Sequence, residues 1–415
     1  MSPRGEAADA VTVNPAPPGP LPSGNLAILP LLAAAAFATG CGMRLLDPLL
    51  PLVARDLHSS VAEVAVLITA FALPYGFCQV LLGPLGDRFG KLRVLTIGLV
   101  TYGLAMAACA MAGSLGQMIA LRATTGAAGG AIIPLALAWI GDNVPYQERQ
   151  ATISRFMTGM VMAQLLTGPV SGSIGQAFGW RSVFLVTATV ALLTAVAIAG
   201  TLGTRLWRGQ PAKAGRFGFT RYAELLRRRP ARLLLLTAFL DGLLLFGGAF
   251  PFIGSYLIQD FHLEPWQAGL VVAGFGLGAL AYTRTARRLL DWLGEMRLML
   301  AGGLLLSVAL AALALAPVWP MVAVLQALIG LFFFGFHGVL QARSTEALPE
   351  ARATAVSAFA MALFLGQGIG SIGFGVLLRH GGYSAGFLTA AILMAVLTLW
   401  ARRVLPLPAA AANTG

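Results

Sequence analysis

Apolar residues run in stretches of about 20 or more along most of the chain, each cut short by Gly, Pro or charge, and about 20 apolar residues are what one helical crossing of a bilayer needs. The breaks place crossings (spans 1 to 6) at 26–54, 61–84, 93–113, 116–141, 151–175 and 181–204. A second set (spans 7 to 12) falls at 231–258, 265–284, 297–316, 321–341, 353–378 and 384–404. The pattern predicts an all-α membrane protein with twelve transmembrane helices in two six-helix bundles, 26–204 and 231–404. Residues 1–25, dense in Pro, Ala and Gly, predict a disordered tail, and overlapping P-x-x-P spacings arise in any such tail. The tail makes a poor signal peptide, because the next apolar run is too long and Arg4 lies far from it. Residues 205–230 predict a basic linker, and 405–415 a short C-terminal tail.

Composition excludes an ordinary soluble domain. Only 11% of residues are charged and 58% are hydrophobic, with a mean hydropathy of +0.80, whereas a wetted surface normally requires about 25% charged residues. The net charge of +12 sits in short breaks between apolar runs, which argues against nucleic acid and for loops sorted to one side of a membrane. With a cytoplasmic N-terminus, 23 of the 28 Lys and Arg fall on the cytoplasmic side; Arg55, Arg181 and Arg379 fall opposite, and Arg44 and Arg122 lie inside spans. Both termini are therefore expected in the cytoplasm, the protein crossing the inner membrane many times, with the basic linker against anionic headgroups. Cys41, Cys78 and Cys109 lie in apolar runs without metal-ligand spacing and predict packing residues.

The two halves repeat at a nearly constant offset. RDLH (Arg55 to His58) returns as QDFH (Gln259 to His262), and Asp87, Gly90 and Arg93 land on Asp291, Gly294 and Arg297, each 204 residues on. Gly179, Trp180 and Phe184 meet Gly382, Tyr383 and Phe387 at 203. Ordered matches of this kind predict two pseudo-symmetric units related by an axis along the membrane normal.

GPLGDRFGKLRVL (Gly83 to Leu95), between spans 2 and 3, resembles the loop signature of the major facilitator superfamily, G-x-L-x-D-R-x-G-R-K. Gly83, Leu85, Asp87, Arg88 and Gly90 match, Lys91 replaces the usual Arg, and Leu92 breaks the basic pair that would otherwise precede Arg93. Glycines make a tight turn, and an Asp beside Arg or a helix N-terminus can latch the cytoplasmic ends of two bundles; the plainer reading is a solvated basic turn. The resemblance implies Asp142 as an acidic partner near this loop. In the second half, Trp292 and Glu295 stand where the first is basic, so its latch is not expected to match.

Four further features bear on function. In span 1, Arg44 and Asp47 are three apart and so share a helix face; Asp47 followed by Pro51 resembles the D-x-x-x-P of the drug:proton antiporter branch. Span 4 carries Arg122 and Gly126, resembling the family's R-x-x-x-G, with Arg122 placed to reach Asp47 or to snorkel to the outer headgroups. An Arg44–Asp47 pair that only offsets its own desolvation is the alternative. Desolvation favours the neutral acid, a guanidinium the ionised one, so the sequence leaves proton exchange at Asp47 open. In span 5, Gly168, Pro169 and Gly172 resemble the antiporter signature G-P-x-x-G-G, incompletely, because Ser173 and Gln164 stand at two of its glycine positions; small residues four apart also serve plain packing.

Asp241 is the lone acid inside a second-half span and is a functional candidate by default, unless it serves a local hydrogen bond. His337 reads more readily as a packed histidine than as a relay, and Gln79, Gln164 and Gln367 are cavity candidates. GIGSIG (Gly368 to Gly373) fits G-x-G-x-x-G but follows no strand, so it predicts helix packing rather than a phosphate site. No Walker loop or hydrolase motif is present in the sequence, so neither an enzyme nor ATP coupling is expected.

The resemblance implies two bundles about a midplane cavity, moving by alternating access. It implies a monomeric, proton-coupled exporter of small amphiphilic molecules in contact with lipid, with protons as the coupling ion and no bound cofactor or metal. Proton-linked uptake or exchange of a metabolite is the alternative, and a transport-dead membrane sensor a further one.

Overall fold

A computed structural model describes residues 28–207 and 219–405. These residues are helical almost throughout, and one contiguous apolar cluster runs through both halves. The tail at 1–25 and most of 405–415 lie outside the described residues. The polypeptide turns between spans on very little chain. Gly90 alone joins Val66–Phe89 to Lys91–Cys109, and Gly179 alone joins Tyr146–Phe178 to Trp180–Leu202. Spans 8 and 9 form one run, Pro265–Ala314, bent at Gly294; spans 11 and 12 form Arg352–Val404, bent at Gly382. The expected loops at 285–296 and 379–383 are thus helix, because a single residue at positive φ redirects the chain while both flanks keep their hydrogen bonds.

These corners confirm the internal repeat in backbone geometry. Gly90 (φ 96°) pairs with Gly294 (φ 71°), and Gly179 (φ 82°) with Gly382 (φ 69°). The two non-glycine residues with positive φ among those described are His58 (51°) and His262 (57°), again 204 apart. Such a conformation costs a side chain energy, so its recurrence at matched positions marks one fold used twice.

Besides a break near the start of span 2, at Ala65, three spans are broken internally. Span 1 divides into Ile28–Arg44 and Leu50–Asp56, and span 4 into Leu115–Gly129 and Ile132–Asn143. Span 7 passes from Arg229–Asp241 through a π-helical Gly242–Ala249 to Phe250–Gln259. The basic linker contains a helix, Phe219–Arg227, whose Leu225 is buried with Ala231, Leu348, Ala355 and Ala358 against the second half. Large apolar side chains such as Val196, Val308, Val324 and Ile392 are exposed on the outward faces of spans 6, 9, 10 and 12, the surface that lipid covers.

Candidate functional site

The break in span 1 has a local cause. Pro48 has no N–H to offer the Arg44 carbonyl, and its ring crowds the preceding turn. The Arg44 carbonyl instead accepts from Asp47 N at 3.1 Å, a tighter turn that ends the helix. Pro51 likewise leaves the Asp47 carbonyl without its helical donor. Arg44 and Asp47 therefore do not sit on one continuous helix face, as their spacing suggests, yet they still pair: Arg44 Nη1 is 3.6 Å from Asp47 Oδ2. Asp47 is 3% exposed, and its Oδ2 makes no hydrogen bond among the described residues.

Arg44 is also held from the other half of the molecule. Its guanidinium carbon lies 4.6 Å from the Phe246 ring centroid and 4.2 Å from that of Phe250, both in span 7. Arg122 is 1% exposed and points inward, which rules out snorkelling to headgroups. Its Nη1 donates to Gly42 O at 3.1 Å, its Nε to Leu67 O at 3.5 Å, and its guanidinium lies 4.4 Å from the Phe71 ring centroid. It forms no contact ion pair with Asp47, but is anchored to the same span through Gly42 O, on the near side of the break. One guanidinium thus pairs with a buried carboxylate and a second is buried on the neighbouring span 4, so the charge of this region depends on the proton of a single carboxyl.

At the positions 204 residues on, span 10 crosses span 8 as span 4 crosses span 2. Gly126 packs on the Phe71 carbonyl and Gly330 on the Phe275 carbonyl, each so closely that a Cβ would collide. The counterpart of Arg122 is Gln326, wholly buried with neither amide atom hydrogen-bonded among the described residues. The charge cluster belongs to the first half only. The second half has its own buried pair, which the spacing did not reveal: Asp241 Oδ2 and His337 Nδ1 are 2.7 Å apart.

The two halves press together from the midplane to the face opposite the basic loops. Gly168 faces the Gly269 carbonyl, at 2.7 Å from a Cβ placed there, and Gly172 packs on the Pro265 carbonyl. Thr69 Oγ1 reaches Gly368 O and Ser371 Oγ, both at 2.6 Å. Gly375 meets Ala62, and Gly76 meets Phe364. Gly168, Pro169 and Gly172 therefore lie where span 5 seals against span 8, so their small size serves an inter-half joint. Beyond the seal, a vestibule of about 500 Å³ is lined by Arg55, Ser59, Ser60, Gln259 and Arg379, among others. Gln79 and Gln367 are buried and Gln164 half-buried.

At the basic face, Lys91 Nζ bonds Asp142, Arg88 stacks on Phe89 and Arg93 on Trp207. The packing around Gly83 and the side chain of Asp87 lie outside the described residues. The Lys91–Asp142 bond ties the corner after span 2 to the end of span 4, within one half; the latch expected at Asp87 lies outside the described residues. The second half ties the same corner with a different partner: Glu295, the counterpart of Lys91, bonds Arg343 at the end of span 10, whereas Glu346, the counterpart of Asp142, pairs with Arg352. The corner is thus tied to the end of span 10 by a pair of opposite polarity, through a residue that has no charged counterpart in the first half, where Trp139 stands.

Residues 32–250 and 242–414 match the Major Facilitator Superfamily. The chain is 27% identical over 379 residues to the uncharacterised transporter YceJ of Bacillus subtilis (strain 168), covering 88% of this chain and 93% of that protein. It is 27% identical over 285 residues to the multidrug resistance protein MdtG of Yersinia enterocolitica serotype O:8 / biotype 1B, covering 64% of this chain and 65% of that protein. Among solved structures, a D-xylose-proton symporter superposes with a TM-score of 0.75 at 16% identity, covering 92% of this chain and 98% of that one.

Proposed function

The chain belongs to the major facilitator superfamily, and from that membership we propose that it is a proton-coupled exporter of small amphiphilic molecules, working by alternating access in the inner membrane with both termini in the cytoplasm. The observation that carries this reading is Asp47: a buried carboxyl flanked by Arg44 and Arg122 at a joint between the halves. A proton on Asp47 changes the charge balance of the joint, and the joint must part for the outer gate to open. The similarity to a multidrug resistance protein favours export over uptake. No cofactor takes part.

The two halves are sealed on the face opposite the basic loops, which this reading takes as the outer one, with the vestibule above the seal. Outward opening would expose Asp47 to the vestibule, inward opening to the cytoplasm. One charge moved through 100 mV contributes about 2.3 kcal/mol, enough to redistribute two conformers. A panel of amphiphilic dyes, sugars and nucleosides in proteoliposomes with an imposed pH gradient tests the proposal. Dissipation of the gradient on adding a dye supports export by exchange. Dissipation by sugars or nucleosides alone identifies a metabolite carrier, and no flux of any kind identifies a sensor.

A further inference from the structure

Within the membrane-spanning stretches of the second half, charge is almost absent. No Asp, Glu, Lys or Arg other than Asp241 occurs at 233–258, and none at 265–283, 298–342, 353–378 or 383–401. Asp241 nevertheless lies fully buried in span 7, where the π-helical segment begins. Its Oδ2 faces His337 Nδ1 from span 10, and its Oδ1 is buried without a hydrogen bond among the described residues. His337 stacks on Phe333 at 4.8 Å and lies against Phe359 at 5.5 Å. Span 11, packed along span 7 through Gly366 and Gly370, brings no ionisable side chain between Arg352 and Arg379. From the first half, Arg44 faces this region only across the rings of Phe246 and Phe333, themselves 4.7 Å apart.

A neutral His337 donating Nδ1–H to an ionised Asp241 leaves a net negative charge buried with no cation in contact, which is costly. One proton taken up at His337 Nε2 makes the pair neutral overall while keeping the 2.7 Å bond, and losing it restores the charge. Asn or Gln would satisfy a purely structural hydrogen bond at lower cost, so the acid and the imidazole together mark a group built to exchange a proton. We propose that Asp241 and His337 form a second proton-binding unit, in the half opposite Asp47, so that a full cycle moves two protons rather than one. This rests on the reading of the protein as proton-coupled, and it adds a stoichiometry that Asp47 alone does not supply.

Potentiometric titration of the purified full chain in weakly buffered detergent between pH 5 and 9 reads the proton itself, without a substrate. The expected result is that Asp241→Asn takes up about one proton fewer per chain than the wild type. His337→Gln leaves the buried carboxyl to take up the proton itself, so it should move the pH at which that proton binds while leaving the proton of Asp47, and serves as the readout if the Asp241 variant does not fold. Identical curves for the wild type and a folded variant at either position overturn the inference. The Asp47→Asn curve separates the two claims: a proton lost there but not at Asp241 keeps the coupled reading and removes the second unit.

Discussion

The carbonyl oxygen of Asp47 and the backbone of Gly254 meet across the two halves, so closely that a Cβ at 254 would stand 2.6 Å from the oxygen. Pro51 removes the donor that this carbonyl would have within its own helix, and glycine lets span 7 approach it. The proposed proton site and the seal on the face opposite the basic loops are therefore one structure.

Gly254→Val is expected to open that seal. Overpacking costs about 1–3 kcal/mol, which shifts a two-conformer balance by about 5- to 150-fold. Distances between spin labels on the Ser59 and Arg379 rims should lengthen in the variant. An unchanged distance distribution would show that the contact is not part of the gate.

Arg44 contacts Asp47 through charge and Phe246 and Phe250 through its flat face. Lysine keeps the charge but not the stacking surface, so Arg44→Lys should weaken the seal by about 2 kcal/mol, the scale of a desolvated cation–π contact. Arg44→Ala removes the contact partner of a buried carboxyl and should cost more, about 3–5 kcal/mol. Thermal unfolding midpoints in detergent should fall in that order; equal midpoints would remove the rings from the account.

The reversed links at the basic face make a swap informative. Glu295→Arg alone should destabilise the second half by opposing Arg343, and Glu295→Arg with Arg343→Glu should recover most of the loss. The equivalent exchange at Lys91 and Asp142 should give smaller changes, under about 1 kcal/mol, because Asp142 is mostly exposed. A double-mutant cycle on unfolding midpoints measures both.

Much of this arrangement was legible in sequence. Hydropathy located the spans, and the 204-residue offset located the corners at Gly90 and Gly294. What escaped were features that depend on how helices meet. The break in span 1 was visible in Pro48 and Pro51, but the Arg44–Asp47 spacing reads as helical unless their missing N–H groups are counted. Asp241 and His337 lie 96 residues apart, and no local pattern joins residues on spans 7 and 10. Lys91 and Glu295 look unlike each other until their partners are known, because each half ties this corner through a residue of opposite charge at a different position, Asp142 in one and Arg343 in the other.

On the face opposite the basic loops, the hydrogen bond from Arg181 holds the Asp56 carboxyl below its ordinary range, against its loss of water, with Trp180 adding a second bond. A depressed folded value stabilises the protein above the unfolded value of about 3.9 and ceases to do so as pH falls through the folded one. The exposed setting limits this to under about 1 kcal/mol. The unfolding midpoint should fall between pH 5 and 3, and Arg181→Ala should flatten that part of the fall; parallel curves would assign the acid sensitivity elsewhere.

The central claim is that Asp47 couples protons to the movement of substrate. Its most direct test is Asp47→Asn in proteoliposomes, using a dye that the wild type exports, with proton-driven flux and dye–dye exchange measured side by side. The account predicts that exchange persists while accumulation against a pH gradient is lost. Undiminished proton-driven accumulation, or equal loss of exchange and accumulation, would contradict it.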